Sequence, residues 1–256
     1  MNTDSHTRSS TTRPNASPAH RPQLVLPGQT AAPDGPVDMV MMYVMHHGFR
    51  RDLQRFAVAT EATPLDDVAT WRALHARWER FAGVLHHHHS GEDAGIWPFL
   101  LERADEQERS TLLAMEEEHS HIDPLLRGCA EGFAELAGDR VGLDAEDARA
   151  ALQVRVAATR DALGRHLRHE ETEAMAILQR HMTPADWEHV EKEHFPRNEA
   201  PFSLFFMVAW CMESVPASEV AEVFARVGRP FMVLWLLARR GFRRGERRAF
   251  RYAGVA

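Results

Sequence analysis

Residues 85–98 read LHHHHSGEDAGIWP: four consecutive histidines in mid-chain, followed by Glu92 and Asp93. The run is either an idle polar surface or part of something buried, and the flanking periodicity separates the two. Apolar residues recur around it in steps of three and four, the repeat of a helix with one buried face. The seam runs Trp71, Leu74, Trp78, Phe81, Leu85, His88, Glu92, Ile96. Of the four histidines only His88 falls on it, with Glu92 one turn later; His86, His87 and His89 lie off it.

Three further segments repeat the pattern. Residues 37–61 give Met39, Met42, His46, Phe49, Leu53 and Phe56, ending before Pro64. Residues 105–137 give Leu112, Met115, His119, Ile122, Leu126, Cys129, Phe133 and Leu136. A fourth segment opens after Gly142 with LDAED, a helix-capping start, and runs to 182 through Leu152, Val156, Thr159, Leu163, His166, Glu170, Ala174 and Ile177. The segment holding the histidine run spans 66–103, with Pro98 expected to kink or end it. Four long helices with short connections predict an all-α fold: an up-down antiparallel four-helix bundle over residues 37–182. No strand alternation or internal repeat competes with that reading.

The flanks differ in composition. Residues 1–36 are rich in Ser, Thr, Pro, Asn and Gly and are expected to be disordered. Residues 183–256 are expected to form a helical extension packed on the bundle. Thr183-Pro184 suits the start of a short helix. FSLFFMVAWCM (202–212) and FMVLWLLA (231–238) follow, separated by the turn-like VPAS and VGRP.

A chain of 256 residues with 44% hydrophobic and 26% charged residues is long and apolar enough to bury a full core. Cys129 and Cys211 form neither a disulfide framework nor a zinc spacing and suit a reducing compartment. No secretory signal and no apolar run of about 20 residues is present, so a cytoplasmic protein is expected. No nucleic-acid-binding motif occurs. The tail RRGFRRGERRAFR (239–251) carries seven arginines against Glu246. After an apolar helix, such a tail leaves open a membrane-surface contact or a homodimer interface beside plain packing on the bundle.

Each seam carries one histidine, two also carry a glutamate, and none holds Lys or Arg. His46, His88, Glu92, His119, His166 and Glu170 are thus six polar groups converging on an interior that should be apolar. A buried carboxylate without a partner costs several kcal/mol or becomes neutral. A pair of cations compensates two carboxylates and four imidazoles together. Imidazole suits iron, zinc, copper and nickel, and a carboxylate bridges two ions. One HxxxE helix recurs by chance; four helices with polar groups in register do not. The off-seam His47, His87, His121, His169, Asp93 and Glu171 are expected to be solvated or to orient the ligands.

LHHHHSGEDAGIWP and RHLRHEETEAM resemble the HxxxE helices of the hemerythrin-like, or HHE cation-binding, family. MHHGFRRDL resembles its first helix and EEHSHID its third. The resemblance covers about residues 38–182. It implies a non-heme di-iron centre, oxo- or hydroxo-bridged, with His46, His88, His119 and His166 as terminal ligands and Glu92 and Glu170 as bridges. Manganese or zinc remains open from ligand types alone.

The sequence departs from the family at one place. Oxygen-carrying hemerythrins have five histidines, two of them one turn apart on the third helix; here Met115 stands one turn before His119 and Asp123 one turn after. The missing ligand is expected to be water, Asp123, Glu118, Tyr43 or His89, and an open or carboxylate-filled position favours redox turnover or sensing. The expected ligand is oxygen, nitric oxide or peroxide. Two competing readings are an iron-storing or iron-sensing protein without turnover and a biosynthetic di-iron oxygenase.

Overall fold

The computed structural model describes residues 22–138, 144–195 and 203–254. From Val40 on these are mostly helical, with no strand among the described residues. In chain order the helices are α1 (Val40–Ala62), α2 (Val68–Gly91), α3 (Trp97–Leu101), α4 (Glu106–Leu136), α5 (Ala145–His169), α6 (Met175–His181), α7 (Pro184–His194), α8 (Leu204–Met212), α9 (Ala217–Val227) and α10 (Arg229–Ala249). Polar side chains start several of them. Asp67 accepts the Thr70 amide at the head of α2, and Asp144 accepts that of Glu146 at α5. Reciprocal capping boxes, Asp105 with Glu108 and Thr183 with Asp186, open α4 and α7.

The four long helices close a ring: α4 packs on α2 and α5, and α1 on α5 and α2. Every seam residue read from the sequence is buried. Pro98 does not end its helix. Glu92–Ile96 forms a single π-helical turn that carries α2 directly into α3, and Pro98 follows in the first turn of α3, where its missing N–H is tolerated. A second π turn, Glu170–Ala174, joins α5 to α6.

The interior is split in two. One apolar cluster contains Phe49, Leu85, Ile122 and Leu163, and the other contains Tyr43, Ile96, Met115 and Ala174. On each long helix the seam histidine falls between a residue of one cluster and a residue of the other. The polar groups therefore occupy a layer with apolar packing on both sides.

Two expectations need correction. Residues 22–36 are not disordered: Leu24 and Leu26 are buried in the core, while residues 1–21 lie outside the described residues. Amides replace regular structure there. Gln29 Nε2 donates to the carbonyls of Leu24 and Ala31, and Gln23 Nε2 to that of Val37. This satisfies backbone groups that composition alone leaves without partners. The C-terminal extension has three helices after α7, because EVAEVFARV between the two turns forms α9. Its anchor is polar. Arg77, buried on α2, donates to Asp52 of α1 and, at 2.6 Å, to Glu246 of α10, and the Trp210 indole of α8 donates to Asp52 at 2.7 Å. Both cysteines are buried; burial pushes Cys129 up to about 11 and Cys211 up to about 12, which leaves them protonated. No helix among the described residues is long and apolar enough to cross a membrane.

Candidate metal centre

Seven side chains meet in the polar layer, in two adjoining groups. His46, His88, Glu92 and Glu170 form one; His89, His119 and His166 form the other, and within each group one ligand atom per residue lies within 4.8 Å of the rest. The carboxylates connect the groups. Glu92 lies 3.1 Å from His88 Nε2 through Oε1 and 3.6 Å from His119 Nε2 through Oε2. Glu170 Oε2 lies 3.3 Å from His46 Nε2 and 3.8 Å from His166 Nε2. The Nε2 atoms of His119 and His166 converge to 3.1 Å.

The outer faces of three imidazoles are fixed by acids. His46 Nδ1–H donates to Glu171 (3.0 Å), His119 Nδ1–H to Asp93 (2.7 Å) and His166 Nδ1–H to Glu118 (2.8 Å). Each bond selects the tautomer that turns an Nε2 lone pair inward. Glu171 is held in turn by both guanidinium nitrogens of Arg50 (2.7 and 2.9 Å) and by the Thr30 amide (2.8 Å). The inner atoms make no hydrogen bond to protein: His46 Nε2, His88 Nε2, both His89 nitrogens and all four oxygens of Glu92 and Glu170. Orphaned polar atoms at this density are foreign to protein interiors. Here one atom from each residue offers a lone pair to its group, the donor set of cation sites, while the other nitrogen of neutral His89 carries its proton.

A family model, the hemerythrin HHE cation binding domain, matches residues 39–178. The chain belongs to the hemerythrin HHE cation-binding family. Searches of curated proteins and of solved structures find no match.

All six residues expected as hemerythrin-type ligands lie in the layer. The fifth imidazole is His89, which stacks on His119 with ring centroids 3.8 Å apart. It was one of four residues expected for that place, beside water, and the other three stand outside the two groups. Glu118 holds His166 and His169 from outside, Asp123 is exposed, and Tyr43 packs in the apolar cluster on one side of the layer. The buried Tyr43 hydroxyl makes no hydrogen bond, and burial, then Glu171 and Glu170, push its pKa up. Met115 is fully buried in that same cluster. His89 thus supplies the donor that Met115 does not, in one group with His119 and His166. Among the off-seam residues, Glu171, Asp93 and His169 are hydrogen-bonded around the ligands, His121 is exposed, and His47 contacts the Pro27 and Ser214 carbonyls.

Protons substitute poorly for cations in this layer. Burial opposes charge on His46, but Glu170 and Glu171 outweigh it and raise His46 to about 9. Burial and then His46 push His88 well down, and burial and then His119 do the same to His89. Burial opposes charge on Glu170 too, yet His46, His166 and His88 hold it near 2. Glu92 goes the other way, raised by burial and then by the like charge of Glu170. Without cations the layer keeps one carboxylate charged and drives the other toward neutrality.

Proposed function

We propose that this hemerythrin-family chain holds a pair of non-heme iron ions and uses them to bind a small diatomic or peroxide ligand, in oxygen, nitric oxide or peroxide sensing or handling. The supporting observation is the joined double cluster: three imidazoles on one side, two on the other, and two carboxylates within reach of both. His89, His119 and His166 would hold one ion, His46 and His88 the other, and Glu92 and Glu170 would bridge them. An imidazole and carboxylate set suits iron, with manganese and zinc as the competing occupants. In this reading α1, α2, α4 and α5 run up and down. The order of facing residues supports it, since Phe49 faces Phe81 while Phe56 faces Trp78.

Bound iron supplies Lewis acidity and one-electron redox chemistry. The chain supplies position and enclosure. Glu171, Asp93 and Glu118 hold three imidazoles in register before any ion arrives, and the two apolar clusters keep bulk water from the layer. The unequal division of imidazoles leaves the His46/His88 side one protein donor short, and that side is where a small ligand would enter.

Metal analysis of the purified chain, with its visible spectrum in air and then with peroxide, tests the reading. Two irons per chain and an absorption that bleaches on reduction are expected. One ion per chain, or a colourless zinc protein that ignores peroxide, would overturn it.

A further inference from the structure

Helix α10 turns one side to the bundle, through Phe242, Glu246 and Ala249, and the other to solvent. The solvent side is divided along its length. Its first half presents Met232, Val233, Leu236 and Leu237, exposed by 36, 52, 44 and 68%. Its second half presents Arg240, Arg243, Arg244, Arg247 and Arg248, with no acid among them. Four of these arginines line a surface cleft of about 320 Å³. Only Arg243 meets a carboxylate, Glu213, at 3.4 Å, and Arg240, Arg244 and Arg247 make no ion pair among the described residues.

We propose that the outward side of α10 docks on an anionic phospholipid surface, its apolar half entering the headgroup–acyl boundary and its arginine half binding lipid phosphates. The combination favours a bilayer over other polyanions: nucleic acid or an acidic protein would satisfy the guanidinium groups and leave four large apolar side chains in water. The chain itself offers no cover from its front, because residues 1–21 contain no Val, Ile, Leu, Phe, Trp or Tyr. Charge complementarity is local. The whole chain carries a net charge of -7, so the arginine end of α10 is what an anionic surface attracts, and it sets the docking pose. Docking this way is peripheral and requires no spanning helix.

Full-length, metal-loaded protein sedimented with vesicles of phosphatidylcholine, alone or mixed with phosphatidylglycerol, tests the proposal. Binding is expected only to the mixed vesicles, and weaker at high salt. The variant Arg240→Gln/Arg244→Gln/Arg247→Gln is expected to lose about 100-fold in partition. Leu236→Ser/Leu237→Ser is expected to lose about 10-fold. All five positions are exposed, and unchanged metal content in both variants verifies that the fold is kept. Absence of vesicle binding overturns the proposal, as does equal binding to both vesicle types. A solution dimer that Leu237→Glu breaks, or binding to single-stranded RNA that the Leu236→Ser/Leu237→Ser change leaves untouched, assigns the surface to a second copy or to nucleic acid and equally overturns it.

Discussion

His88 and His89 are neighbours in sequence that serve opposite sides of the polar layer. One residue along a helix is a rotation of about 100°, so His88 turns to α1, edge-on to His46 at 5.4 Å, while His89 turns to α4 and stacks on His119. A seam drawn at steps of three and four captures only one of the two, which is why the sequence reading placed His89 outside. We expect His89→Ala to leave about one ion per chain and His86→Ala, at an exposed position, to leave two, by metal analysis. Glu171→Gln and Asp93→Asn keep every ligand but loosen two imidazoles, and should weaken metal binding about 10–100-fold in competition with a chelator. Because His46 is held near 9 without metal, uptake must displace its proton. Affinity should therefore fall as pH is lowered from 8 to 6, measured by the same competition. The six seam residues were legible because i, i+4 spacing survives folding unchanged. The acids behind them were not, because Glu118 and His166 meet only through packing of α4 on α5.

At the scale of elements, both HxxxE glutamates open a π turn, and in each the backbone carbonyl of the glutamate accepts from an amide five residues on, Trp97 or Met175. The wider turn brings two consecutive residues inward, Ile96 with Trp97 and Ala174 with Met175. A strict 3.6-residue period has no room for that extra residue, and the kink expected from the proline ring at Pro98 stands aside from it. The docking of α8 on α1 depends on a close approach. A Cβ at Gly48 would lie 2.8 Å from Trp210 Cζ2, and Trp210 is fully buried and tied to Asp52. Gly48→Ala gains helix propensity of about 1 kcal/mol but forces Trp210 from its site, an overpacking cost of about 1–3 kcal/mol. We expect a net loss of stability, read as a lower melting temperature.

At the scale of the molecule, the bundle and its extension share one buried ion cluster. Burial opposes charge on Asp52, but Arg51 and Arg77 outweigh it and hold the carboxylate near 2. Its stabilisation is complete above about pH 4 and is lost as pH falls toward 2. Asp52→Asn leaves Arg77 buried without one of its two acids; it should cost about 3–5 kcal/mol at neutral pH and flatten the acid limb of a denaturation series. Removing residues 203–256 strips Glu246 and Trp210 from the same cluster, and the truncated chain should be insoluble. Neither Asp52 nor Arg77 stands on a seam, so this connection between extension and bundle was invisible to periodicity, whereas the helical content was plain from it. The leading segment was obscured by its Pro and Gly content, yet the Thr30 amide reaches Glu171 and through it His46. Residues 22–30 are thereby moored to the candidate metal centre. A protease cutting within residues 22–36 would meet a closed segment while the cations are in place and a loosened one after their loss, so the lifetime of the protein would follow the supply of its metal.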